Sequence, residues 1–304
     1  MAASDRVLTS GGFALDLSPD RFGWLVDSSG IAGDFDALRE RMDRDGYLFL
    51  PGYLDREEVV GVRRSICEAL GREGLLDPSE PVESAIAREG LEMYFRPDIA
   101  NSNEALRSLI YGERIMEFYS GLLGGEVRHY DYTWMRAIAP GKGTSPHMDI
   151  VYMGRGTSRL YTAWVPFGDI PLEVGGLVVL ENSCQYDPLK STYARTDVDV
   201  VCLNDGDRIQ PQSYGYHGFG AITDNPVALR DEIGGRWLTA ERFRMGDLLT
   251  FGMHTVHASL DNASREIRLS SDSRYQLASE PIDERWIGEH PIGHGEKARI
   301  GMIC

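Results

Sequence analysis

The chain has 304 residues, is 42% hydrophobic and carries a formal net charge of −16 at pH 7, so it can bury a substantial core. An acidic balance of this size lacks the basic surface that phosphate backbones require, which excludes nucleic acid as the expected partner. No apolar run approaches the length of a membrane span, and the opening MAASDRVLTSGG has neither the basic nor the apolar region of a secretory signal. Cys67, Cys184, Cys202 and Cys304 show no C-x-x-C spacing and read as reduced thiols of a cytoplasmic protein.

In chain order, Asp34 is placed to cap a helix that buries Phe35, Leu38 and Met42 and ends at Gly46. Tyr47-Leu-Phe-Leu50 then reads as a short strand closed by Pro51-Gly52. Asp55 with Glu58 forms a capping box, behind which Val59, Val62, Ile66 and Leu70 recur at helical spacing. A third helix is expected near residues 103–123, on Leu106, Leu109, Ile110, Phe118 and Leu122. From Glu126 the pattern changes to period two, with strands expected at 127–138, 159–167, 175–181, 247–252 and 266–275 between Gly, Pro, Asn and Asp clusters. Helices first and strands after, without βαβ alternation, predict an α+β, mainly β arrangement with an antiparallel sheet or sandwich. A long irregular stretch at about 185–243 contains Ser213-Tyr-Gly-Tyr-His-Gly-Phe-Gly220 and is expected to cover the site as a lid, or else to pack as scaffold. No repeat or boundary is visible. The chain therefore reads as a single domain over 1–304, helical over about 30–125, with a β core over about 126–276 and a tail over 277–304.

The chemistry concentrates in His147-Met148-Asp149. On an extended strand, residues two apart project to the same side, so this histidine and carboxylate can bind one metal ion. A second histidine from a distant strand would complete a two-His-one-carboxylate face on a metal, with positions left open. The turn-rich Pro140-Gly-Lys-Gly-Thr-Ser-Pro146 would deliver His147 to the mouth of a sheet. Downstream, the apolar run Leu248-Leu-Thr-Phe251 leads to His254 and His257, which compete for the third position. Alternation over 266–275 places Ile267, Leu269 and Ser271 on one face and Arg268, Ser270 and Asp272 on the other. Arg268 thus points away from the apolar face, and a planar guanidinium suits a bidentate grip on a carboxylate. His147, Asp149, a second histidine and Arg268 together suggest an Fe(II)/2-oxoglutarate oxygenase. A zinc hydrolase can use similar ligands, but it needs no such arginine and no H-E-x-x-H is present. The other alternative is a non-catalytic jelly-roll binding protein whose histidines are polar core residues.

His257-Ala-Ser259-x-x-Asn262-x-Ser264, with Arg268 eleven residues after His257, resembles the phytanoyl-CoA dioxygenase family of Fe(II)/2-oxoglutarate oxygenases. Thr162-Ala-Trp164-Val-Pro, Gly175-Gly-Leu-Val-Val-Leu180 and Asp45-Gly-Tyr-Leu-Phe-Leu-Pro51 resemble further blocks of that family, in order over about residues 35–276. The resemblance implies a double-stranded β-helix (jelly-roll, cupin-like) core wrapped by N-terminal helices. It assigns His147, Asp149 and His257 as iron ligands and Arg268 to the distal carboxylate of 2-oxoglutarate. Ser259 and Trp164 are expected to line that pocket, and Trp134 is a further candidate. The implied cofactors are Fe(II), 2-oxoglutarate and O2, and the implied reaction is hydroxylation of a small molecule with release of succinate and CO2. Halogenating relatives replace the carboxylate ligand by a small residue, so Asp149 points to hydroxylation or a related oxidation. The chain departs from the family at Glu181-Asn-Ser-Cys184, where a Pro-Gly-Ser-His turn is frequent. Arg96 and Arg136 are candidates for the family's basic contact upstream of the H-x-D. Tyr94, Arg96, Trp134, Arg136, Tyr152, Tyr214, Tyr216 and His217 are candidates to border the substrate.

Overall fold

The computed structural model describes residues 7–203 and 220–295. The helix Phe35–Asp45 starts where Asp34 accepts hydrogen bonds from the Asp36 and Ala37 amides, and it stops at Gly46 with φ 78°. Gly46 also lies where chain segments crowd together: a Cβ there would sit 2.7 Å from Thr255 Oγ1 and 2.8 Å from Cys184 Cβ. We expect Gly46→Ala to cost about 2–4 kcal/mol, from left-handed strain plus overpacking. Thr255 carries the carbonyl that holds His257, an expected metal ligand, so the same substitution is expected also to weaken metal binding. Thermal melts with and without Co(II) test this; equal melting of the variant and the parent protein would remove Gly46 from that role.

Asp55 caps the helix Arg56–Arg72 in the same way, accepting from the Glu57 and Glu58 amides. The expected third helix is two, Glu104–Tyr111 and Glu113–Leu123, because the chain breaks at Gly112 with φ −73° and ψ 170°. In that conformation a Cβ at 112 would meet the Ser108 carbonyl oxygen at 2.3 Å, so the break demands glycine. These helices bury Leu38, Val59, Ile66, Leu106 and Phe118 against one face of a large sheet, which offers Met135, Ala137, Val165, Leu269 and Tyr275.

That sheet runs Tyr47–Leu50, Leu248–Gly252, Tyr161–Pro166, Arg268–Leu277, all antiparallel. The expected strand over 127–138 is two strands, Val127–His129 and Trp134–Ile138, which pair with opposite ends of Arg268–Leu277. Between them residues 130–133 stand opposite only Ser273 and Arg274; the Tyr130 amide still donates to the Arg274 carbonyl, and the extra residues bulge out of the ladder.

A smaller sheet orders His257–Ser259, Leu177–Leu180, Trp237–Thr239 and Phe22–Trp24. The last of these is an N-terminal strand running parallel to Trp237–Thr239, and neither was foreseen. The described part of the stretch 185–243 is correspondingly less irregular than expected. It holds the short helices Asp187–Ser191 and Val198–Leu203 and the Asn225-capped helix Pro226–Ile233. Helices this short carry too few apolar repeats to be legible in sequence. Tyr214, Tyr216 and His217, the core of the expected lid, lie outside the described residues.

Between the two sheets pack Trp164, Leu249, Phe251, Val179, Leu238 and Phe243. Beyond Leu277 the chain packs into a neighbouring buried cluster: the Trp286 and Trp134 ring centroids lie 4.8 Å apart, and Arg285 binds Asp283 and Asp199. Among the described residues no helix is long and apolar enough to cross a membrane.

Candidate metal and co-substrate centre

His147 and His257 come together through their backbones, each amide donating to the other's carbonyl at 3.0 Å in an antiparallel bridge. Asp149 arrives differently from the expectation. It does not continue an extended strand; it has helical angles, φ −63° and ψ −25°, and starts the one-turn helix Ile150–Met153. The turn, rather than strand alternation, brings its carboxylate beside His147. Asp149 Oδ1 lies 3.9 Å from His147 Nε2 and 3.6 Å from His257 Nε2. One ligand atom from each of the three falls within 4.8 Å of the others, and all three residues are buried.

The histidine orientations are set by carbonyls. His147 Nδ1 meets Ser145 O at 2.8 Å and His257 Nδ1 meets Thr255 O at 3.0 Å. An Nδ1–H donated to a carbonyl leaves the Nε2 lone pair free for a cation. His147 Nε2 is buried with no hydrogen-bond partner among the described residues. Burial lowers the titration of both rings below the ordinary histidine range, so they stand neutral, as ligands must. For Asp149, burial pushes upward, but the Arg274 guanidinium and the Thr162 hydroxyl hold the carboxyl well below its usual range. His254 does not join them; it lines a separate groove with Met42, Gln185 and Lys190.

Arg268 begins the strand Arg268–Leu277 with its side chain between the sheets, 2% exposed, and Nη1 donates to the Gly175 carbonyl. Burial and the nearby Arg136, partly offset by Asp272, push its guanidinium down to about 9. A buried cation in that state is short of an anion. Arg268 Nε, Ser270 Oγ and Trp164 Nε1 are all buried without hydrogen-bond partners among the described residues. Strand parity places them on one inward face, since Asp272 pairs with Trp164 across the ladder. Ser259 is buried two residues after His257, on the same face of its strand, and accepts from the Thr144 amide at 2.8 Å. Trp134 sits further along, beneath the Arg274 guanidinium at 4.5 Å.

Of the two upstream candidates, Arg136 is interior, donating to Asp272 at 2.5 Å, whereas Arg96 is tied to Asp98 and Glu73 on the outer side. Tyr94 is exposed, while Tyr152 is buried edge-on to His147 at 5.8 Å. Sequence reasoning missed Arg274 and Thr162, both bonded to Asp149. The signal available was parity: Arg274 follows Arg268 by an even number of residues and so shares its inward face.

Two imidazoles and a carboxylate with open positions suit Fe(II), and unmatched donors around a buried cation suit a carboxylate-bearing ligand. The residues present therefore fit both groups. A family model described as Phytanoyl-CoA dioxygenase (PhyH) matches residues 42–270. The 1-deoxypentalenic acid 11-beta-hydroxylase of Streptomyces exfoliatus is 26% identical over 268 residues, covering 84% of this chain and 85% of the relative. Among solved structures, the epimerase SnoN in complex with Fe3+, alpha ketoglutarate and nogalamycin RO aligns with TM-score 0.56 at 21% identity, over 87% of this chain and 97% of SnoN. EctD from S. alaskensis in its apoform aligns with TM-score 0.56 at 18% identity, over 94% of this chain and 91% of EctD. At these identities the solved structures bear on the fold, and they agree with the jelly-roll expectation.

Proposed function

The chain belongs to the phytanoyl-CoA dioxygenase family and is an Fe(II)- and 2-oxoglutarate-dependent dioxygenase, and from that premise we propose roles for its own residues. His147 Nε2, His257 Nε2 and one oxygen of Asp149 hold the iron. Arg268 grips the distal carboxylate of 2-oxoglutarate, with Trp164 and Ser259 bordering that pocket and Ser270 Oγ, which has no partner among the described residues, placed to donate. The observation that carries this reading is the pairing of two unmet needs in one buried space. Three ligand atoms converge there, and the guanidinium of Arg268 keeps a nitrogen without a hydrogen-bond partner among the described residues.

Bound there, iron with 2-oxoglutarate and O2 supplies the oxidising power to hydroxylate an unactivated C–H bond, one oxygen atom going to the product and one to succinate, with CO2 released. The protein's part is orientation and exclusion of water. The Ser145 and Thr255 carbonyls lock both imidazoles, so the ligand set is in place before any ligand arrives. Arg268 and its neighbouring donors would hold the distal carboxylate of the co-substrate, and the apolar contacts of Trp164 with Phe243 keep that region dry. Asp149 fills the position that halogenating relatives leave open, which favours hydroxylation.

The substrate is a small molecule, which we place on the side of the metal bordered by Tyr152 and Arg136. We also read the chain as one domain acting in the cytoplasm, consistent with free Cys67 and Cys184. The test is succinate formation by the purified protein with Fe(II) and 2-oxoglutarate, screened over small-molecule libraries. A substrate should raise succinate formation and gain one oxygen atom per succinate. Activity with zinc in place of iron, without consumption of 2-oxoglutarate, would establish a hydrolase instead.

A further inference from the structure

Asp149 has two oxygens, and the protein treats them differently. Oδ1 faces the histidine nitrogens at 3.6 and 3.9 Å. Oδ2 accepts from Thr162 Oγ1 at 2.5 Å and lies 3.1 Å from Arg274 Nη2. Thr162 and Arg274 are direct cross-strand partners between Tyr161–Pro166 and Arg268–Leu277, so the register of the large sheet aims both at one atom. Arg274 is itself held firmly. Its Nε donates to Met153 Sδ at 3.2 Å, on the turn that Asp149 begins, and its guanidinium lies over the Trp134 ring. The pair is buried, with Arg274 1% and Asp149 0% exposed at the side chain.

We propose that Arg274, with Thr162, is a positioning residue that reserves Oδ2 of Asp149 and leaves Oδ1 alone to the metal. The proposal rests on the assignment of His147, Asp149 and His257 as metal ligands. A carboxylate free at both oxygens can chelate, and a chelating Asp149 would occupy one more position on an octahedral metal. With three single-atom protein ligands, three positions remain, two for the keto acid and one for O2. Holding Oδ2 with a charged donor and a hydroxyl keeps those positions open. The register of two strands is thereby turned into a coordination number.

The competing account is that Arg274 only neutralises a buried carboxylate. The two separate when metal and co-substrate are measured independently under anaerobic conditions. Co(II) binding is followed by calorimetry, and 2-oxoglutarate binding to the Fe(II) protein by the charge-transfer absorption of the chelate. We expect Arg274→Met to keep Co(II) affinity within about 3-fold of the parent protein or tighter, because a buried positive charge near the cation is gone. Its dissociation constant for 2-oxoglutarate should rise by about 10-fold or more, within the range typical of groups that orient metal ligands. Arg274→Lys should recover part of that loss, and Thr162→Val should show a smaller loss in the same direction. An unchanged 2-oxoglutarate constant in Arg274→Met, or weaker Co(II) binding with normal 2-oxoglutarate binding, overturns the proposal. If Arg274→Met does not fold, the same two constants measured on Arg274→Lys and Thr162→Val decide between the accounts: a raised 2-oxoglutarate constant supports positioning, and an unchanged one overturns it. Should the parent protein itself bind no Co(II) and show no charge-transfer band, the assignment of the metal site fails instead.

Discussion

Alanine at His147, Asp149 or His257 should abolish turnover and weaken metal binding by about a hundredfold or more. The binding free energy of a four-ligand site, about 10–16 kcal/mol, amounts to roughly 3 kcal/mol per ligand, and each of these residues offers one ligand atom to the proposed site. The three variants should nevertheless differ in stability. His147→Ala and His257→Ala remove neutral rings, whereas Asp149→Ala leaves Arg274 buried without its carboxylate. Stranding one member of a buried ion pair costs about 3–5 kcal/mol, so Asp149→Ala should melt well below the other two in the absence of metal. His254→Ala should keep both metal and activity, since His254 lines a different groove. Calorimetric Co(II) titrations and thermal melts of the four variants check this. Loss of metal in His254→Ala with retention in His257→Ala would show that the third ligand is misassigned.

Arg268→Leu should raise the half-saturating concentration of 2-oxoglutarate by roughly 30- to 1,000-fold, equivalent to about 2–4 kcal/mol for a truncated buried charge pair. Metal affinity should stay as in the parent protein. The ligand-free variant should melt no lower than the parent, because Arg268 is already a buried cation pushed down to about 9 by burial, and leucine removes that cost. A residue that merely supported the fold would show the opposite, a lower melting temperature with unchanged 2-oxoglutarate dependence. That outcome would take Arg268 out of the co-substrate pocket.

Much of the scaffold was legible because it depends on local chemistry. Asp34 and Asp55 cap their helices and Gly46 ends the first one, since capping uses amides only two or three residues away. The strand Tyr47–Leu50 fell where expected, and Arg268 lies on the face opposite Ile267 and Leu269 as alternation required; that this face is covered by the second sheet was not legible. Failures came where a distant segment or a close backbone approach decided. The helix over 103–123 divides at Gly112 through a close approach to Ser108 that no periodicity encodes. Phe22–Trp24 becomes a strand only because Trp237–Thr239 lies alongside it to supply its hydrogen bonds.

The candidate site divides in the same manner. Residue types and their order along the chain by themselves supplied a ligand chemistry: two histidines, a carboxylate and an arginine whose side chains suit iron and a dicarboxylate, with strand parity setting Arg268 on the face opposite Ile267 and Leu269. Which histidine serves was left open by the residues, and the tertiary structure sets His257 against His147 through a backbone bridge while His254 turns to another groove. The turn at Asp149 and the cross-strand meeting of Thr162 with Arg274 belong to the tertiary structure as well. The physical reason is range. Caps, periodicity and ligand chemistry act over a few bonds or one side chain, whereas the aim of a carboxylate oxygen depends on sheet register, which forms only when strands more than a hundred residues apart pair.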